Sequence, residues 1–167
     1  TVIPDPTAEE LVAAIEDAGR ACLSYGITSV MDAGVGMKAG YREVVAYREA
    51  QRLGRLPVRA NLCLLGGPGG IVERCHAEGV ITGAGGDMLR VGPVKIFTDG
   101  SAGGRTAAMS EPYLGEPRTT GLLMLRDEEM DAYVADYHAK GYQLAVHAIG
   151  DVAIEQTLNA FEAALKA

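Results

Sequence analysis

Two stretches of this sequence hold residues that could do chemistry: "VKIFTDGS" (94–101), with Lys95, and "QLAVHAIGD" (143–151), with His147. An ammonium group among Val94, Ile96 and Phe97 is costly to remove from water. A short apolar strand carrying one either lies at an edge, where Lys95 reaches solvent, or holds the lysine inside for a purpose. Period-2 alternation puts Lys95, Phe97 and Asp99 on one face of their strand, and Gln143, Ala145 and His147 on one face of theirs. If both faces look into a barrel, Lys95 and His147 meet at its mouth from neighbouring strands. A lone histidine at a strand end is more often only a hydrogen-bonded loop or core residue.

The other polar residues at strand ends are Asp32, Thr98, Asp99 and Asp151. Asp32 before Ala-Gly reads as a turn start, and Asp151 as a helix cap. His76 and His138 fall in highly charged helical patterns and read as surface residues. The glycine clusters at 66–70 and 83–86 lack the Lys-Ser/Thr of a phosphate loop and read as turns. The segment "GSAGGRTAAMSEPYLGEPRTTGLLML" leaves the same strand end as Lys95 and has no periodicity. Stretches of this length are either lids and binding loops or Ω-loops packed on themselves. Arg105 is its best group for an anionic or carbonyl substrate, and Tyr113 and Leu114 could meet an apolar part.

These residues must be positioned by regular elements. "PTAEELVAAIEDAGRACLSYG" carries helix-start signals at Pro6, Thr7, Glu9 and Glu10, apolar spacing through Leu11, Ala14, Ile15, Ala18 and Cys22, and a stop at Gly26. "ITSVMDAG", "LPVRANLCLLGG", the strand around Lys95 and "YQLAVHAIG" read as four strands. Between and after them, helices are expected in 40–54, in 70–78, from an N-cap at Asp127, and from a cap at Asp151 to the end. Strands that are nearly continuous apolar runs, alternating with helices, indicate α/β architecture with parallel βα repeats. The chain has 167 residues, whereas a (β/α)8 barrel takes about 250. A doubly wound sheet or about half of a TIM barrel both fit; the Thr1 start and the helical end "AFEAALKA" favour the half barrel, with 1–167 one partial domain lacking the first and last barrel strands.

Composition limits the partners. Apolar residues make up 48% and charged residues 22%, an ordinary globular balance. Net charge is -7 with no basic run, so nucleic acid is not expected. No apolar run approaches membrane-spanning length, so no membrane is expected. Cys22, Cys63 and Cys75 show no C-x-x-C spacing and read as reduced packing residues, which fits a cytoplasmic setting.

"VKIFTDGSAGGRTAAMSEPY", followed by "QLAVHAIGDVAIEQTLNAFE", resembles amidohydrolase family 3 of the metal-dependent amidohydrolase superfamily, and "SYGITSVMDAG" is similar to that family's "GxTSVxDAG" segment. The resemblance implies a (β/α)8 barrel that hydrolyses amide or related C–N bonds of small molecules with one or two divalent metals, commonly zinc. It implies Lys95 as the fourth-strand lysine, often carboxylated, and His147 as the fifth-strand histidine, both metal ligands. Asp99 is expected to serve catalysis by orienting the lysine or the loop, with Arg105 and Tyr113 as substrate contacts. A lysine desolvated at a barrel mouth is partly neutral amine, able to take up carbon dioxide as a carbamate that bridges two cations. The metal would then activate water and polarise the carbonyl.

Departures are plain. There is no His-x-His pair, and neither the sixth-strand histidine nor the eighth-strand aspartate is present. Two ligands fall short of the three a catalytic site takes from the protein. The expectation is a fragment inactive alone, which self-associates through open sheet edges or its exposed apolar interior. The rival is a non-enzymatic small α/β binding or assembly domain; a metal-free enzyme using Asp32 or Asp99 as base is a third reading.

Overall fold

Apolar alternation and helix caps organise the described residues into nine elements. The structure is a computed structural model that describes residues 4–116 and 118–167. They are α1 (Ala8–Ser24), β1 (Ser29–Val35), α2 (Arg42–Arg52), β2 (Arg59–Leu65), α3 (Val72–Ala77), β3 (Leu89–Phe97), α4 (Asp127–Ala139), β4 (Leu144–His147) and α5 (Asp151–Lys166). The four strands are parallel and form one sheet in the order β1-β2-β3-β4. That order separates the two architectures the sequence allows. A doubly wound sheet reverses at a switch point, so some sheet neighbours are distant in sequence; in a singly wound arc of βα units, neighbours in sheet and chain coincide. The observed order is the arc.

Two compact units divide the chain, one ending at Val94 and one starting at Lys95. In the first, α1 begins with a capping box: the Glu10 amide donates to Thr7 Oγ1 at 3.2 Å and the Thr7 amide to the Glu10 carboxylate at 2.7 Å. This satisfies two otherwise unpaired N–H groups. Helices α1 and α2 pack together, burying Val12 of the first and Val44, Ala46 and Ala50 of the second. β2 supplies the centre of this core through Leu62 and Leu64. Arg55 reaches back to Glu16 (2.5 Å) and Glu9 (2.8 Å), and the Arg55 guanidinium, with Arg20, holds the Glu16 carboxyl below its ordinary range.

In the second unit α4 packs on α5, with Met130, Val134 and Tyr137 buried on the first and Ala153, Gln156, Thr157 and Ala160 on the second. Buried Gln156 donates through Nε2 to the Leu125 carbonyl (3.0 Å) and to Asp127 Oδ1 (2.8 Å). The two caps read from sequence are each one residue late: Arg126 is the N-cap of α4 and Gly150 that of α5, so Asp127 and Asp151 are first helical residues. The reason is competition, because each carboxylate serves a partner outside its own first turn, Gln156 for Asp127 and Ser110 for Asp151. Among the described residues no helix is long and apolar enough to cross a membrane.

Met130 is fully buried, whereas Leu158 is 60% exposed. Met130→Ala is therefore expected to cost about 2–5 kcal/mol in urea denaturation, and Leu158→Ala within about 0.5 kcal/mol. Equal effects of the two substitutions would show that the α4–α5 contact is not the core of this unit.

Candidate functional site

The face that alternation assigns to Lys95 exists. Lys95 Nζ stands 4.5 Å above the Phe97 ring centroid, and the Phe97 ring lies 5.6 Å from the His147 imidazole, tilted by 40°. A cation over an aromatic face is stabilised by the ring quadrupole. Lysine, phenylalanine and histidine thus form one row across β3 and β4. All three are partly exposed, while Val94 and Ile96 on the other face of β3 are buried. The strand ends are fastened beside this row: Thr98 donates to the His147 carbonyl through both its amide (3.0 Å) and its hydroxyl (2.7 Å).

Asp99 follows immediately and its side chain is fully buried. A buried carboxylate needs several donors to replace its hydration. Oδ2 accepts from the amides of Ala108 (3.0 Å) and Gly150 (2.7 Å), and Oδ1 from that of Ile149 (3.1 Å). Oδ1 also lies 3.6 Å from His147 Nε2, which in turn is 2.7 Å from the Gly100 carbonyl oxygen. A carbonyl only accepts, so in the neutral ring Nε2 carries the proton and Nδ1 keeps the lone pair a metal would use.

The long segment after Asp99 is folded on its own backbone. Thr106 and Ala107 amides donate to the Ser101 carbonyl, Met109 to Thr120, and Met124 to Thr98. The two substrate contacts read from sequence are both engaged within it: Arg105 pairs with Glu116 at 2.5 Å with about half its side chain exposed, and the Tyr113 hydroxyl donates to the Ala107 carbonyl at 2.9 Å. The segment is strapped to the start of α5, since the Ser110 amide (2.9 Å) and hydroxyl both donate to the Asp151 carboxylate and the Val152 amide donates to the Ala108 carbonyl. Gly150 permits this approach, because a Cβ there would lie 1.8 Å from the Ala108 oxygen.

The first unit holds Asp32, whose carboxylate accepts from the Tyr47 hydroxyl (2.8 Å) and the Gly34 amide (3.2 Å). Burial, reinforced by the Asp32 charge, pushes the Tyr47 phenol far up. His76 and His138 are exposed, as their charged helical surroundings suggest, and Cys63 and Cys75 are buried thiols.

Comparisons with known proteins identify the family. A family model described as the amidohydrolase family matches residues 1–167. The chain belongs to the amidohydrolase family. It is 35% identical over 163 residues to the YtcJ protein of Bacillus subtilis (strain 168), an alignment covering 92% of this chain and 27% of that one. Over 76 residues it is 36% identical to the protein LONG AFTER FAR-RED 3 of Arabidopsis thaliana. Two crystal structures of uncharacterized metal-dependent hydrolases superpose on it. The one from Pyrococcus horikoshii has a TM-score of 0.80 at 30% identity, covering 94% of this chain and 31% of that one. The one from Pyrococcus furiosus has 0.78 at 32%, covering 96% and 32%. The matched stretch spans 27% of the length of YtcJ, 31% and 32% of the two Pyrococcus proteins, and 13% of the Arabidopsis protein.

Of the residues the resemblance names as metal ligands, Lys95 and His147 flank the same Phe97 ring. Among the described residues no three His, Cys, Asp or Glu side chains gather where an ion could sit. The set fits two ligands of a shared centre, not a closed site. Two participants escaped the sequence reading: the Gly100 carbonyl has no sequence signature, and Ser110 lies in an aperiodic stretch. Thr98 is legible there as a strand-end polar residue, and the structure gives it the His147 carbonyl as partner.

Ser110 donates to Asp151 through hydroxyl and amide, and these bonds hold the Asp151 carboxyl below its ordinary value. A carboxyl lowered in the folded state adds stability above its unfolded pKa and loses it as pH falls through the folded one. Ser110→Ala is expected to be less stable than the parent at neutral pH in denaturant titrations, with the gap narrowing as pH falls from about 5 through the carboxylate range. A gap that stays constant with pH would remove Asp151 from the explanation.

Proposed function

We propose that this chain is the part of a metal-dependent hydrolase that contributes Lys95 and His147 to its metal centre, and that the enzyme cleaves C–N bonds of amides or cyclic amides. The observation that carries the reading is the Lys95–Phe97–His147 row at the carboxyl ends of adjacent parallel strands, where sites form in such architectures. The likeness to the two Pyrococcus metal-dependent hydrolases supports it. A divalent cation, zinc first, supplies Lewis acidity toward water and the scissile carbonyl when bound.

The chain's own residues have distinct tasks in this reading. His147 offers Nδ1 while Nε2–H is spent on Gly100. Lys95, as the carbamate of its neutral amine, offers two oxygens that share one negative charge, beside the Phe97 ring. Arg105 serves a substrate carbonyl or anionic group by exchanging Glu116 for it. An exposed ion pair is worth only about 0–1 kcal/mol, so the exchange is cheap. Tyr113 offers its ring edge to an apolar substrate part. Free cysteines suit a reducing, cytoplasmic compartment.

The test is calorimetric titration of the full chain with zinc and manganese in bicarbonate buffer, repeated on Lys95→Ala and His147→Ala. Micromolar or tighter binding by the parent, weakened at least about tenfold in both variants, is expected. Equal binding by all three proteins would move the metal elsewhere and sink the assignment.

A further inference from the structure

We propose that Asp99 is a positioning residue for His147: by gathering the amides of Ala108, Ile149 and Gly150 it fixes the imidazole with Nε2 protonated and Nδ1 presented outward. Its fully buried side chain cannot reach a substrate, which separates this role from that of a base.

The argument is one of constraint. His147 is held from both sides of its own peptide. Behind it, the carbonyl takes two bonds from Thr98. Ahead of it, the next amides but one, Ile149 and Gly150, are taken by the Asp99 carboxylate at 3.1 and 2.7 Å. With the backbone pinned, the ring settles with Nε2 at 2.7 Å from the Gly100 carbonyl and 3.6 Å from Asp99 Oδ1. Both neighbours are oxygen acceptors. The opposite tautomer would aim a lone pair at a carbonyl dipole and a carboxylate charge, so the same carboxylate that shapes the turn also selects the proton's place.

Asparagine cannot substitute, although it has the same shape. It offers one acceptor oxygen where the carboxylate offers two: an oxygen at the Oδ2 place still meets Ala108, Gly150 and, at 3.3 Å, Ile149, but its NH2 then stands at the Oδ1 place facing His147 Nε2. Donor would oppose donor at a side chain closed off from solvent. The Ala108 bond adds a second consequence: the long loop and the histidine turn hang on one anchor, whereas the Ser110–Asp151 strap holds the same loop without touching the ring.

The inference rests on the metal reading only for what Nδ1 binds; the tautomer is a property of the chain alone. Ring-nitrogen NMR of the full chain in mildly alkaline buffer reads it, with His147 assigned from His147→Gln and His76 and His138 as internal references. The parent is expected to show His147 as Nε2–H over Nδ1–H by about tenfold or more. Asp99→Asn should reduce that ratio severalfold, while Ser110→Ala leaves it unchanged. Zinc titration of Asp99→Asn should show affinity lowered about 10–100-fold.

An unchanged ratio in folded Asp99→Asn overturns the inference and leaves the metal reading intact. A parent that takes no zinc, yet whose tautomer responds to Asp99→Asn, overturns the metal reading and supports the inference. If Asp99→Asn does not fold, the parent decides: an Nδ1–H ring overturns it, and an Nε2–H ring with slowly exchanging Ile149 and Gly150 amides supports it.

Discussion

A carboxylate that cannot reach water must be met by N–H groups, and Asp99 is met by three, from two separate segments. Much of the second unit is arranged around that requirement. β3 must end where it does for Asp99 to turn inward, the loop must return through Ala108, and the chain after His147 must turn so that Ile149 and Gly150 face the same point. Removing one partner of a buried charge leaves the other uncompensated, so these pieces stand or fall together. The histidine end of the Lys95–Phe97–His147 row is held by this anchor, and ring contacts link the rest of the row to it.

The two units reach order by different physics. The first is built from regular βα repeats, with α1 packed on α2 and Leu62 and Leu64 of β2 fully buried. Its polar groups, such as the Thr7–Glu10 box and the Asp32–Tyr47 bond, finish the edges. The second keeps only two helices for its core and spends its remaining length on the segment between β3 and α4. Hydrogen bonds to carbonyls and two aspartates do there what apolar burial does in the first unit.

That contrast explains what was legible in the sequence. The helix-start residues Thr7 and Glu10, the run of β-strands and the face shared by Lys95 and Phe97 follow from local rules that depend on periods of 3.6 and 2. The choice of a sequential arc over a doubly wound sheet is a matter of pairing between strands, which periodicity does not encode. The caps at 126 and 150 were displaced because Asp127 and Asp151 are drawn to Gln156 and Ser110, each far away in the chain. The contacts of Asp99 and His147 were hidden because their partners are backbone groups, and a backbone amide looks the same at every position.

Gly150 has a consequence beyond its own turn. Ala108 lies so close to it that no side chain fits between them, and Gly121, with positive φ, comes equally close to the Ala107 carbonyl. Residues 106–110 of the loop are thus fixed to the scaffold with no slack. The tip around Tyr113–Glu116 is held by polar bonds instead, to Arg105, Ala107 and Thr119, and its Leu114 is wholly exposed. The loop therefore has a root closed by backbone against backbone and a tip closed by exchangeable polar bonds, so a change of side chain at Leu114 would leave the histidine turn below undisturbed.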